Sequence, residues 1–388
     1  MSAQRKDLSS TLIEQVIDLA QMPAAALPEA ALALARLSLF DWLVCLRAGV
    51  NEPLGVILRN MVTAEGGRAE ASVAAGARAP ARAAALVNGA IGHALDYDDT
   101  HFAHVGHPSA AIYPAALAAA ELNDAPAEAV CTAYLVGAEA AIRIGCVLGA
   151  SHYDRGFHQT STAGAFGATI AAARLLRLTR AQLRAAIGLC ATRASGLRSQ
   201  FGTMGKPYNA GIAAATGVEV ALLARMGFSS ADDGLMGPQG FVATHSDDPQ
   251  PPVVPSGGFL FEDIKYKLHA CCHGTHAMIE ALLELRAAHD LQPGQVARIH
   301  LRTSPRWLSV CNIPAPRTAL EVKFSYAWLA AMVLAGRATQ DSRLFTDALA
   351  ADPDLASLAA RVEVTGAGEL TEMQAAGEVL LEDGRRLN

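Results

Sequence analysis

The chain has 388 residues, 52% of them hydrophobic and 18% charged, with a formal net charge of −6 at pH 7. That supplies ample apolar material for one large domain or two, and it argues against a nucleic-acid footprint or a surface for anionic membranes. Seven cysteines, an odd number without a C-x-x-C pair, predict free thiols rather than a disulfide framework. The start, Met1-Ser-Ala-Gln-Arg-Lys-Asp7, lacks a secretory hydrophobic region, so a cytoplasmic protein is expected.

From Leu8 to about residue 260 the pattern predicts helix after helix. Leu8, Leu12, Ile13, Val16, Ile17 and Leu19 recur at a 3.6-residue period. Pro28 is placed to open a helix over Glu29–Arg47. Further helices are expected at Glu52–Glu65, Arg78–His93, Ser109–Leu122, Pro126–Leu148, Thr162–Leu176, Thr179–Ala194 and Asn209–Met226, with a short one near Asp232. Thr179 and Gln182 have the spacing of a capping box. Four prolines and two glycines within 247–258 mark a break. Beyond it the texture changes: helices over His276–Ala288 and Phe324–Ala335 mix with strand patterns at Val296–Arg302, Arg361–Thr365 and Glu378–Gly384. The expectation is a mainly α protein, an all-helical domain over 1–258 and a smaller α+β domain over 259–388.

Chemistry concentrates in one run: His93-Ala-Leu-Asp96-Tyr-Asp98-Asp99-Thr100-His101, then His104, His107 and Pro108. Polar groups set in an apolar chain cost several kcal/mol unless paired or used. The run is therefore a site or a capped connection between helices, with Asp98 or Asp99 as the cap. Asp96 and Thr100 would share a face on a helical turn. A metal held by His101, His104 and His107 is the weaker option, because no firm ligand spacing stands out.

Three later segments add candidates. Gly156-Phe-His158-Gln-Thr-Ser-Thr162 places a histidine before a hydroxyl-rich helix start, where Thr160 or Ser161 would cap and an anion could bind. Gly202-Thr-Met-Gly-Lys206-Pro207 presents one lysine in a glycine-punctuated turn, a point charge for a carboxylate whose removal should leave stability nearly unchanged. Lys267-Leu-His269-Ala-Cys271-Cys272-His273-Gly-Thr-His276 invites a zinc or Cys-His reading. Adjacent cysteines serve a tetrahedral ion poorly, and a histidine acting as acid, base or anchor is preferred.

Together with Val87-Asn-Gly-Ala-Ile-Gly92, His107-Pro-Ser109, Thr160-Ser-Thr-Ala-Gly164 and Pro316-Arg-Thr-Ala-Leu-Glu-Val-Lys-Phe-Ser325, these runs resemble the MmgE/PrpD family, in the family's order across most of the chain. The family includes 2-methylcitrate dehydratase, cis-aconitate decarboxylase and iminodisuccinate epimerase. The resemblance implies a large helical domain with a smaller α+β lid, a site in the cleft between them, a homodimer, and no cofactor or metal. It places Asp96, Thr100, His107, His158 and Lys206 on pocket positions. From the second half it adds His276, with His273 and Tyr326 as substrate contacts. Family members usually continue with final helices that return to the helical domain, so a chain ending at Asn388 is expected to lack that return. The implied reaction moves protons beside the carboxylates of a small di- or tricarboxylate, by dehydration, decarboxylation or epimerisation. An inactive substrate-binding homologue and a metal hydrolase are the competing readings.

Overall fold

A computed structural model describes residues 2–253, 255 and 257–388, with side chains described from Leu12 onward. Leu8 in the first predicted apolar face, and Val254 and Ser256 in the proline-glycine stretch, thus lie outside the described side chains. The chain forms two compact units, Met1–Tyr266 and Lys267–Asn388.

The first unit holds ten helices among its described residues. They are α1 (Ser2–Gln21), α2 (Glu29–Gly49), α3 (Pro53–Glu65), α4 (Ala81–Gly92), α5 (Pro108–Leu122), α6 (Ala127–Asp154), α7 (Gln159–Leu175), α8 (Arg180–Arg193), α9 (Gly205–Arg225) and the short α10 (Phe241–His245). The predicted capping box opens α8, with Thr179 and Gln182 bonding reciprocally. Two expectations fail locally. The residues near Asp232 form turns, and the short helix comes later, at Phe241–His245. The helix predicted from Asn209 instead starts at Gly205, a full turn earlier.

Helices α4, α5, α6, α7 and α9 pack as the centre of this unit. All of α7 from Gln159 to Ala173 is buried, which its alanines, glycines and threonines allow by letting neighbours approach closely. A β-carbon on Gly211 would collide with the carbonyl oxygen of Leu86, and one on Gly89 would meet the Cα of Gly211 at 3.0 Å. Only glycine at these two points permits such a backbone-to-backbone crossing, and it brings the end of α4 to the start of α9. Helix α6 is long and apolar enough to cross a membrane by composition, yet 89% of its most apolar window is buried inside the unit, as befits a core helix.

The second unit carries a four-stranded sheet in the order β2-β1-β3-β4, built from β1 (Val296–Thr303), β2 (Val362–Gly366), β3 (Ala375–Leu381) and β4 (Arg386–Leu387). Strands β1 and β2 run parallel, with Ile299 opposite Val362, while the other pairs are antiparallel. The parallel pair requires a crossover, and helices Tyr326–Leu334 and Pro353–Ala359 lie within it. All seven cysteines are free thiols, and all but Cys146 are buried.

Candidate active site

The site is built where α4 ends. Gly92 is required there, because a β-carbon would collide with the Trp42 indole nitrogen. The chain then turns rather than continuing as helix. Asp96 takes a left-handed backbone (φ 53°), an uncommon conformation for a non-glycine residue and one that recurs at functional sites. The expected helical turn carrying Asp96 and Thr100 on one face is therefore absent. Thr100 instead pairs through its backbone with Lys265, N–H to carbonyl in both directions at 2.8 Å.

Around this turn, groups distant in sequence converge. The Lys206 ammonium donates to Asp96 Oδ1 at 2.6 Å and lies 3.1 Å from His93 Nε2. His93 Nδ1 faces both oxygens of Asp98, at 2.8 and 3.0 Å. His107 places Nδ1 3.3 Å from Asp98 and Nε2 3.5 Å from Asp96. Its ring meets that of His93 edge-on, centroids 4.5 Å apart, and His158 stacks 6.1 Å from His93 on another side. Asp96, His107, His158 and Lys206 are thus brought together. His93 and Asp98 belong to the same network, although the sequence reading took His93 only as the head of the polar run and Asp98 only as a possible helix cap, a position His107 occupies. The five-residue spacing of a histidine and an aspartate was their only signal.

Lys206 departs from its expected setting. It lies in the first turn of α9, 3% exposed, rather than on an open turn. An ammonium that deep depends on its carboxylate partner, and the partner on it, so its removal should cost stability.

Charge states follow from these partners. Burial would raise the Asp98 carboxyl, but the electrostatic pull and hydrogen bonds of the His93 and His107 rings outweigh it and hold the group well below the usual carboxylate range. The Lys206 ammonium beside Nε2 of His93 can donate there only to a ring lone pair. His158 is pushed well below the ordinary histidine range by burial and then by the Lys206 charge. The Asn209 amide lies 3.3 Å from its Nδ1, which makes Nε2 the protonated, donating nitrogen.

The hydroxyls of the His158 segment do something other than cap. His158 itself occupies the N-cap of α7 without a side-chain cap bond. The Thr160 hydroxyl accepts from the backbone N–H of His107 at 3.1 Å, and Ser161 Oγ donates to the Asn209 carbonyl at 2.7 Å. Both tie the start of α7 to elements that carry site residues.

His93, Asp96, Asp98 and His107 offer donor atoms within 4.8 Å of one another, a spacing that could hold an ion. Lys206 already supplies positive charge to Asp96 and occupies the His93 lone pair, so a metal would have to displace an ammonium. The set fits an internal ion network better than a metal cage. The sequence candidate His101, His104 and His107 is not brought together for ligation: His101 Nε2 bonds the Leu260 carbonyl, and His104 is wholly buried.

In the second unit, His269, His273 and His276 cluster, with ring centroids 5.0 and 4.6 Å from His276. His269 is tied to Glu280 and Thr339. His276 is held down to about 2 by burial and then by the charges of His273, Lys267 and His269. Its Nε2 is buried without a hydrogen-bond partner. Tyr326 is fully buried, its hydroxyl donating to the Gly274 carbonyl at 2.6 Å and paired with Thr303. Cys271 pairs with Thr275, 3.2 Å away.

Comparison with known proteins gives two matches to family descriptions: the MmgE/PrpD N-terminal domain over residues 19–253 and the MmgE/PrpD C-terminal domain over residues 269–388. Among curated proteins, cis-aconitate decarboxylase of Homo sapiens is 30% identical over 303 residues, 74% of this chain and 62% of that protein. Cis-aconitate decarboxylase of Aspergillus terreus is 29% identical over 277 residues, 65% of this chain and 56% of that protein. A cis-aconitate decarboxylase-like protein of Aspergillus oryzae is 33% identical over 224 residues, 53% of this chain and 46% of that protein. The chain thus spans roughly half of each relative's length, 46% to 62%.

Proposed function

Because the chain belongs to the MmgE/PrpD family, we propose that it is a lyase acting without a cofactor on a small polycarboxylate, with decarboxylation of the cis-aconitate type as its reaction. The observation that carries this reading is the buried ammonium of Lys206 set among two carboxylates and three imidazoles. Loss of carbon dioxide beside a carbon–carbon double bond leaves an electron pair that must be spread onto a neighbouring carboxylate and then take a proton at carbon. The parts needed are fixed positive charge, hydrogen-bond donors for the remaining carboxylates, and one acid near neutral pH. Lys206 supplies the first and His158 Nε2–H the second. His107, between Asp96 and Asp98, supplies the proton, and Asp96 holds both His107 and Lys206 in place. Thr100 is assigned a hydrogen bond beside Asp96.

From the second unit, His276 and His273 are assigned to substrate on the family resemblance, with Tyr326 beside them. The unmet hydrogen-bonding capacity of His276 Nε2 supports that assignment. A homodimer is proposed on the same basis. The exposed apolar side chains of Leu37, Phe40 and Val44 on α2 and Ile57 on α3 are the surface assigned to it. Sedimentation of the protein and of its Phe40→Glu variant checks this, and a monomer at micromolar concentration in the parent protein contradicts it.

The test of function is NMR of the purified protein with cis-aconitate, 2-methylcitrate or iminodisuccinate, each with and without chelator. Conversion of cis-aconitate with release of carbon dioxide, unaffected by chelator, is expected. Turnover of either other compound alone moves the assignment to dehydration or epimerisation, and binding without turnover of any makes the chain a substrate-binding homologue.

A further inference from the structure

Two imidazoles share one carboxylate in this site, and they cannot both be in the same state. His93 and His107 each turn Nδ1 towards Asp98, at 2.8 and 3.3 Å. Their other nitrogens meet opposite charges: Nε2 of His93 lies 3.1 Å from the Lys206 ammonium, whereas Nε2 of His107 lies 3.5 Å from the Asp96 carboxylate. A neighbouring cation demands a lone pair, and a neighbouring anion favours a proton. Asp98 is wholly buried, so its charge is not dissipated into water.

We infer that Asp98 is a positioning residue that assigns the two histidines different states, keeping His93 neutral with its proton on Nδ1 and His107 doubly protonated. His93 then acts as an acceptor that anchors the Lys206 ammonium, and His107 is the one imidazole of the pair with a proton to give. His104 and His158 are further titratable groups that interact with His107. Both are held neutral, His104 at about 3 and His158 well below the ordinary range, burial being the first cause in each case. Neither therefore adds a like charge that would drive the proton off His107 at neutral pH. The balance of Asp96, Asp98 and Lys206 decides it.

The proposal rests on the reading of His107 as proton donor only for its kinetic consequence, and its test separates the two. Imidazole 15N spectra of the parent protein report tautomer and protonation directly, with no substrate present. At pH 7 His93 should show one protonated nitrogen, Nδ1, and His107 two. In Asp98→Asn, which keeps shape and removes charge, the His107 titration midpoint should fall by at least one pH unit and His93 should lose its single-tautomer signature. In a turnover assay the same variant should lose about 100-fold in kcat at pH 7 and shift its optimum to lower pH, with KM changed less than threefold. Asp98→Glu, which restores the charge, should recover part of both effects. Parent spectra with His93 protonated on Nε2, or with His107 neutral at pH 7, overturn the inference without any variant. Unchanged His107 titration in a folded Asp98→Asn protein overturns it equally. If no polycarboxylate is turned over while the spectra behave as stated, the lyase reading fails and the assignment of Asp98 stands.

Discussion

Asp98 and Asp99 are neighbours in sequence, both wholly buried, and their surroundings push the two carboxyls in opposite directions. Asp98 faces two imidazoles and is held ionised. Asp99 faces the other way, accepting from the backbone N–H and hydroxyl of Ser109 at 3.2 and 2.6 Å, with the Tyr134 hydroxyl beyond. Burial and then the nearby Asp41 carboxylate push it up to about 8, against the Ser109 bonds, which favours its protonated form at neutral pH. The histidines divide alike. His93 and His107 sit in the ion network, while His104 is pushed down to about 3 by burial and stays a neutral imidazole under the loop. Burial thus sharpens charge where counter-charges are supplied and removes it where they are not. One polar run thus holds both a charged network and neutral polar groups.

The largest effects should come from breaking the charged half. Lys206→Ala leaves Asp96 buried without its cation, and Asp98→Asn strips His107 of its counter-charge and His93 of its charged acceptor. Each should cost about 3–5 kcal/mol at pH 7 by denaturant unfolding, the range for removing one partner of a buried pair. The Asp98 contribution is present above about pH 4, the ordinary carboxyl value, and is lost as pH falls further, so the gap to Asp98→Asn should close in acid. If Lys206→Ala is as stable as the parent, the network is not holding charge as described.

Next in size, His107→Gln should lower kcat by about 100-fold, within the span of a general acid, and cost less stability than Asp98→Asn because Asp96 keeps Lys206 and Asp98 keeps His93. His276→Ala should show a comparable loss by steady-state kinetics. Full activity in His276→Ala removes it from the site and leaves His273 as the second-unit candidate.

The smallest effect, opposite in sign, belongs to the other aspartate. The folded-state value of Asp99 lies above its unfolded one, so the folded protein binds the extra proton. Between about pH 4 and pH 8 the Asp99 contribution falls as pH rises, by at most about 1.4 kcal/mol per unit, and it levels above pH 8. Asp99→Asn imitates the protonated acid and escapes this loss. It should match or exceed the parent in stability, with an advantage that grows across that window in urea titrations. An Asp99→Asn variant that loses stability as Asp98→Asn does would erase the distinction between the two residues.

Much of this architecture was legible in the sequence. Apolar periodicity located α1 through α9 within a few residues at most ends, and the Thr179–Gln182 box was read correctly. The resemblance gathered Asp96, His107, His158 and Lys206 before any geometry was known. What periodicity does not carry is direction. Nothing in the string distinguishes Asp98 from Asp99, because the left-handed turn at Asp96 that orients them is set by packing. The burial of Lys206 was hidden for a related reason: the close crossing of Gly89 and Gly211 that draws it inward joins residues far apart in the chain. The expected caps at Thr160 and Ser161 failed because tertiary partners, the His107 N–H and the Asn209 carbonyl, took those hydroxyls.

The most direct test is a site-resolved carboxyl 13C titration of Asp98 and Asp99 in the parent protein from pH 5 to 9, assigned with the two Asn variants. Asp98 should show the ionised shift throughout, and Asp99 the protonated shift at pH 6 with a midpoint near 8. Two carboxyls ionised together at pH 6, or an Asp98 that titrates within that range, would contradict the division of the run into a charged network and neutral polar groups.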